Sequence, residues 1–177
     1  MHLNTKQTDA LTEVINIGVG RSAGMLNELV NYPVSLRVPE IELIDHTRLI
    51  NKLGLDAMSR LVMVKLNFEG ALSGAAKAIF SELSSVKLVS CLSGEKIDSP
   101  DLYTIRKETI IEIGNILLSG VLGTVNDMLH THLSFSQPVY AEAISGKALP
   151  VGDQEQDRIV LFGNTFFKIE ELEIDGE

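Results

Sequence analysis

Residues 9–39 read DALTEVINIGVGRSAGMLNELVNYPVSLRVP, and residues 108–138 read ETIIEIGNILLSGVLGTVNDMLHTHLSFSQP. The second stretch lies 99 residues after the first and aligns with it without a gap. Asp9, Glu13, Asn16 and Pro39 fall opposite Glu108, Glu112, Asn115 and Pro138. Leu3, Thr5, Ile17, Gly24, Asn27 and Ser35 meet identical residues in Leu102, Thr104, Ile116, Gly123, Asn126 and Ser134. This register predicts a duplicated unit, with repeats over about 3–94 and 102–172 inside a single domain, 1–177.

Each copy opens with a long helical pattern. In the first, Leu11, Val14, Ile15, Gly18, Ser22, Met25, Leu26 and Leu29 recur at helical spacing and predict a helix over 5–30. Gly18, Gly20 and Gly24 each weaken an isolated helix by roughly 1 kcal/mol relative to Ala, so packing must hold it, and glycine admits a close neighbour. Pro33 stops the helix, and VSLRVPEIELI then alternates as a strand. Residues 47–59 read as a short helix, RLVMVKLNFEG and ALSGAAKAIF as a hairpin, and SELSSVKLVSCLSG as a helix from Ser81 to Gly94. In the second copy Ser99 and Pro100 open a helix over about 100–130. LSFSQPVYAEAI and DRIVLFGNTFFKIEELEI supply strands, residues 144–157 a polar loop, and EELEIDGE a solvated acidic end. The implied fold class is α+β, a pseudo-two-fold duplicated unit with a mainly antiparallel sheet and two long helices on one face.

Composition narrows the function. A net charge of −9, from 15 Lys and Arg against 24 Asp and Glu, disfavours nucleic acid and anionic membranes as partners. One cysteine, Cys91, excludes an internal disulfide and a cysteine metal cage; on an apolar helix face it reads as a core residue. His130 and His132 show no third ligand, Gly18 to Ser22 lack the Lys-Ser/Thr of a phosphate loop, and Phe162, Phe166 and Phe167 read as core or interface. Without a run of 18 apolar residues or a leader-like N-terminus, membrane insertion is not expected and the location is expected to be cytoplasmic.

The polar set carries the chemistry. Residues at i, i+4 and i+7 share one helix face, so each copy presents two carboxylates and then a carboxamide. One such set is most simply a solvated face; two, with matched prolines, read as a site. A carboxylate can grip a lysine ammonium, and a carboxamide can hold a water in one orientation without changing protonation state. Orienting a water for attack on a phosphoryl group needs no nucleophile or resident metal if a partner brings phosphate and Mg²⁺.

The pattern Asp/Ser-x3-Glu-x2-Asn-x22-Pro, present twice, resembles the CheC family of chemotaxis phosphatases and the related CheX and FliY. The first copy fits throughout, whereas the second carries Glu108 where Asp or Ser is usual. The resemblance implies hydrolysis of the aspartyl phosphate of a CheY-like response-regulator receiver. Glu13 and Glu112 would contact the receiver's lysine, Asn16 and Asn115 would position the attacking water, and Asp9 and Glu108 would support them. Pro39 and Pro138 would shape the chain after each helix. No cofactor is expected on this chain, Mg²⁺ being supplied by the receiver. The alternative is a non-catalytic module that binds receivers or a CheD-like deamidase, the latter through the helix at 81–92. A general hydrolase of small phosphates is disfavoured for want of a cationic pocket. Monomer and homodimer both stay open, and the first copy is the stronger bet because its pattern is complete.

Overall fold

The computed structural model describes residues 4–30, 33–38, 41–52, 60–130, 132–144, 160–169 and 174–176. The first helix, α1 (Thr5–Val30), starts from Asn4. Asn4 Oδ1 accepts from Gln7 N at 3.0 Å and Gln7 Oε1 accepts from Asn4 N at 3.0 Å. This reciprocal box satisfies N–H groups that a helix start leaves unpaired. The stretch expected as one strand is two, β1 (Val34–Arg37) and β2 (Ile41–Ile44), in different ladders, and Pro39 lies outside the described residues. Next comes α2 (His46–Lys52); the remainder of the expected 47–59 helix lies outside the described residues.

The hairpin forms as expected from β3 (Arg60–Gly70) and β4 (Gly74–Ser81). Then α3 (Glu82–Ser93) runs from the Ser81 cap, whose hydroxyl accepts from Ser84 N, to Gly94, left-handed at φ 72°. Helix α4 (Pro100–Leu129) starts from Ser99, with Pro100 at its first position, and closes on His130, which adopts φ 49°. Strands β5 (Leu133–Phe135), β6 (Val139–Ile144), β7 (Val160–Gly163), β8 (Phe166–Ile169) and β9 (Ile174–Gly176) complete the chain. The expected 144–157 loop falls, beyond Ile144, outside the described residues. Of the acidic end, residues 174–176 form β9 along the backbone edge of β8, with Ile169 opposite Ile174, and the rest lies outside the described residues. Strand β9 takes the place beside β8 that β4 takes beside β3.

All described ladders are antiparallel, and their registers carry the pseudo-symmetry. Val34 pairs with Ile169 and Leu36 with Phe167; shifted by 99 residues each way, these become Leu133 with Gly70 and Phe135 with Phe68, which also pair. Ile41 with Gly163 and Ile44 with Val160 become Tyr140 with Val64 and Ala143 with Leu61, again observed. The β7–β8 segment thus plays the part of the unbroken β3, and each half lends strands to the other.

The long helices run antiparallel where they touch, since Gly18 faces Val121 while Ser22 Oγ lies 3.0 Å from Ile116 O. A Cβ on Gly18 would stand 2.6 Å from Val121 Cα, so only glycine permits this approach. Gly20 and Gly24, also expected to admit a neighbour, have open space instead. The buried stripe of α1 passes through Gly18, Val19, Ser22, Ala23 and Leu26. Met25 and Leu29 fall on its shoulder and are 49% and 55% exposed, contrary to the apolar face read from spacing. Below α4, Ile110, Ile113 and Ile116 join Val64, Leu66 and Phe167 in the main core. Burying each such side chain contributes about 1.5–3 kcal/mol. Of the aromatic residues read as core, Phe167 is buried, Phe162 half-buried and Phe166 exposed. By length and composition α4 could span a bilayer, yet it packs between α1, α3 and the β3–β4 hairpin.

Candidate functional site

Asp9, Glu13 and Asn16 sit in the first half of α1, whereas Glu108, Glu112 and Asn115 run up to the middle of α4, and the antiparallel crossing sends the two sets in opposite directions. Asp9 and Glu13 on α1 are exposed, as are Glu108 and Glu112 on α4. Among the described residues none of these four carboxylates has a hydrogen-bond or ion-pair partner, so each is available to an incoming cation. Other charged side chains are engaged: Arg21 reaches Asp127 at 2.8 Å, and Arg106 lies 3.7 Å from Glu82. Among the described residues no three His, Cys, Asp or Glu side chains converge as metal ligands. Cys91 is buried in the core, and burial pushes its thiol up, away from nucleophilic use.

Asn16 and Asn115 are both half-buried, but their surroundings differ. Asn16 Nδ2 donates to Val38 O at 2.8 Å, and Asn16 Oδ1 accepts from Val38 N at 3.0 Å. The carboxamide is therefore pinned at both ends to one backbone residue just past β1, with one lone pair and one N–H left over. Val38 is 2% exposed, so withdrawing Asn16 would strand two backbone groups, at about 1–3 kcal/mol each. The equivalent of Val38 in the second copy, Gln137, is exposed. There the chain is anchored differently, by Ser136 N to Asn67 O at 2.9 Å and Asn67 N to Ser136 Oγ at 3.0 Å. Asn115 makes no backbone clip. Its Oδ1 accepts from Ser119 Oγ at 3.3 Å, and its Nδ2 donates to no described residue.

Ser119 belongs to neither repeated polar set. The available signal was a substitution between copies: Ser119 stands where the first copy has Gly20, four residues after its asparagine. The link from Asn16 to Val38 likewise lay next to a noted feature, because Val38 precedes Pro39. A second pair of asparagines behaves alike in both copies. Asn27 Oδ1 accepts from Val34 N at 2.5 Å and Asn126 Oδ1 from Leu133 N at 2.9 Å, each pinning the first strand of its unit to the preceding helix.

The same fold recurs in solved structures of FliY, CheX and a CheC-like superfamily protein. The X-ray structure of Thermotoga maritima FliY superposes with a TM-score of 0.80 at 16% identity, covering 99% of this chain and 89% of that one. The CheX of the CheX–CheY–BeF3–Mg²⁺ complex from Borrelia burgdorferi gives a TM-score of 0.54 at 13% identity, covering 90% and 92%. The FliM middle domain from H. pylori gives 0.57 at 10%, covering 95% and 87%, so the fold also occurs in that protein. No protein-family model matches the chain. In sequence, the chain is 27% identical over 160 residues to the CheY-P phosphatase CheC of Bacillus subtilis (strain 168), covering 89% of this chain and 76% of that protein. With the doubled polar set, that relative makes this chain similar to the CheC family.

Proposed function

We propose that this protein hydrolyses the aspartyl phosphate of a CheY-like response-regulator receiver domain. The exposed Glu112 grips the receiver's active-site lysine, and Asn115 reaches beside the acyl phosphate. Its carboxamide accepts a hydrogen bond from a water and holds that water in line with the phosphorus. The water oxygen bonds to phosphorus as the bond to the aspartyl oxygen breaks. Inorganic phosphate and a free aspartate result, and the water's proton leaves on the phosphate or to solvent. Glu13 is the carboxylate at the matching position on α1, with Asp9 and Glu108 beside the two glutamates. Mg²⁺ comes with the receiver and neutralises phosphoryl charge there.

The observation that carries this reading is a carboxylate without a partner among the described residues, one helical turn before a carboxamide N–H₂ on α4 that donates to none of them. The resemblance to a relative named as a CheY-P phosphatase supports it. The test is the decay of a CheY-type receiver phosphorylated by acetyl phosphate in Mg²⁺. Wild-type protein should shorten the lifetime of the acyl phosphate, and Glu112→Ala should weaken the effect. An unaltered lifetime would remove the enzyme reading.

A second reading is a receiver- or CheD-binding module without catalysis. The likeness to the FliM middle domain and the occupied carboxamide of Asn16 favour it. Receiver binding without accelerated decay would establish it, and a CheD-like partner would dock on α3.

A further inference from the structure

We infer that the two copies have divided the work: Asn115 orients the water with Ser119 as its positioning residue, while Asn16 serves as a strut. This rests on the phosphatase reading above. Orienting a water takes a carboxamide oxygen with a lone pair to spare and an N–H₂ free to meet the phosphoryl oxygens. Asn16 keeps one lone pair and one N–H, but its Oδ1 is bonded to the Val38 N–H and its Nδ2 to the Val38 carbonyl, so the amide is pinned at both ends and can neither turn toward a water nor present a whole N–H₂ without surrendering Val38. Asn115 offers both. Ser119 is four residues further along α4, half-buried, and its hydroxyl donates to Asn115 Oδ1. With that proton given to Oδ1, the amide oxygen is turned toward Ser119 and the N–H₂ away from it. One lone pair on Oδ1 goes to Ser119, and the other remains for the water. The first copy has Gly20 at the equivalent position and no hydroxyl to perform this task. The departure of Glu108 from the Asp/Ser pattern therefore does not mark the weaker site; commitment of the amide to backbone does.

The experiment measures receiver acyl-phosphate decay as a function of receiver concentration, with the melting temperature of every variant alongside. Asn115→Ala should lower kcat roughly tenfold to a hundredfold with little change in melting temperature. Asn16→Ala should show the reverse balance, melting several degrees lower while kcat, assayed well below that melting point, falls no more than about twofold. Ser119→Ala should lower kcat roughly three- to tenfold with KM unchanged, and Ser119→Thr, which keeps the hydroxyl, should restore it. An Asn16→Ala loss in kcat equal to that of Asn115→Ala overturns the division. A Ser119→Ala effect on KM alone, or a Thr variant that fails to rescue, overturns the positioning role.

Should the wild type not accelerate decay at all, the phosphatase reading fails while the division is still decided by NMR. Titration with a BeF₃⁻- and Mg²⁺-loaded CheY-type receiver should then shift the side-chain amide signals of Asn115 and leave those of Asn16 in place. Movement of the Asn16 signals, or none at Asn115, refutes it.

Discussion

Asn16 and Asn115 hold equivalent positions on α1 and α4, yet one is tied at both ends of its amide and the other at a single oxygen lone pair. The tie follows from the strands. In the second copy β5 and β6 lie along the unbroken β3, and Asn67 steadies the connection between them. In the first copy β1 and β2 face the β7–β8 pair, which is interrupted at 164–165, and Asn16 steadies the connection instead. A repeated residue thus keeps its identity while its task changes with the continuity of the strand opposite. By contrast Asn27 and Asn126 face the same backbone position in each copy and do the same thing.

The contrast can be broken experimentally. The largest effect belongs to Asn16→Ala, which strands both polar groups of buried Val38 and should cost about 2–6 kcal/mol, read by urea or thermal unfolding. Asn115→Ala should stay within about 0.5 kcal/mol of wild type in the same measurement, as surface changes usually do. Next is Gly18→Ala. Alanine gains about 1 kcal/mol of helix propensity, but its methyl meets the backbone of Val121, and overpacking of about 1–3 kcal/mol or more outweighs the gain. Gly24→Ala and Gly123→Ala, with open space around both, should instead hold or raise stability. Asn27→Ala and Asn126→Ala should each lose about 1 kcal/mol, equally within error, if the strand-pinning role is the same in both copies.

The smallest effect is alkaline. The Tyr140 hydroxyl is pushed up to about 12, first by burial and then by the hydrogen bond it donates to Glu142 and by that carboxylate's charge, with Arg106 opposing. A folded value above the ordinary 10 means this contribution is intact below pH 10 and is lost as pH rises toward about 12. Its first-copy equivalent is Ile41, which cannot titrate. Tyr140→Phe should therefore flatten the stability profile over that window, whereas substitutions at Ile41 should leave its shape alone.

Much of the fold was legible because the signals are local. Ser81, Gly94, Ser99 and Pro100 act at the helix ends where they stand, and alternation over 60–81 gives the hairpin directly. The polar faces were legible too, since helical spacing alone aligns Glu13 with Asn16 and Glu112 with Asn115. What escaped depends on partners distant in sequence. Met25 and Leu29 satisfy the spacing but miss the neighbour that would cover them. Strand β9 reads as an acidic tail because its support is the backbone edge of β8 rather than any side-chain pattern. The preference for the first copy rested on completeness of its motif, and a motif says nothing about the Val38 backbone to which Asn16 is bonded.

The exchange of strands has a consequence for assembly. Apart from the β3–β4 hairpin and the β8–β9 pair, each described ladder joins a strand from one half to a strand from the other. A half severed near Gly94 would carry unsatisfied edges along β1, β2 and β3, with no strand of its own to cover them. Two such halves could complete each other only by trading strands, which makes the chain a covalently fused dimer. Fusion removes the concentration dependence of that trade and frees each half to drift. The loss of symmetry between Asn16 and Asn115 is the kind of change that two identical chains translated from one coding sequence could not have made.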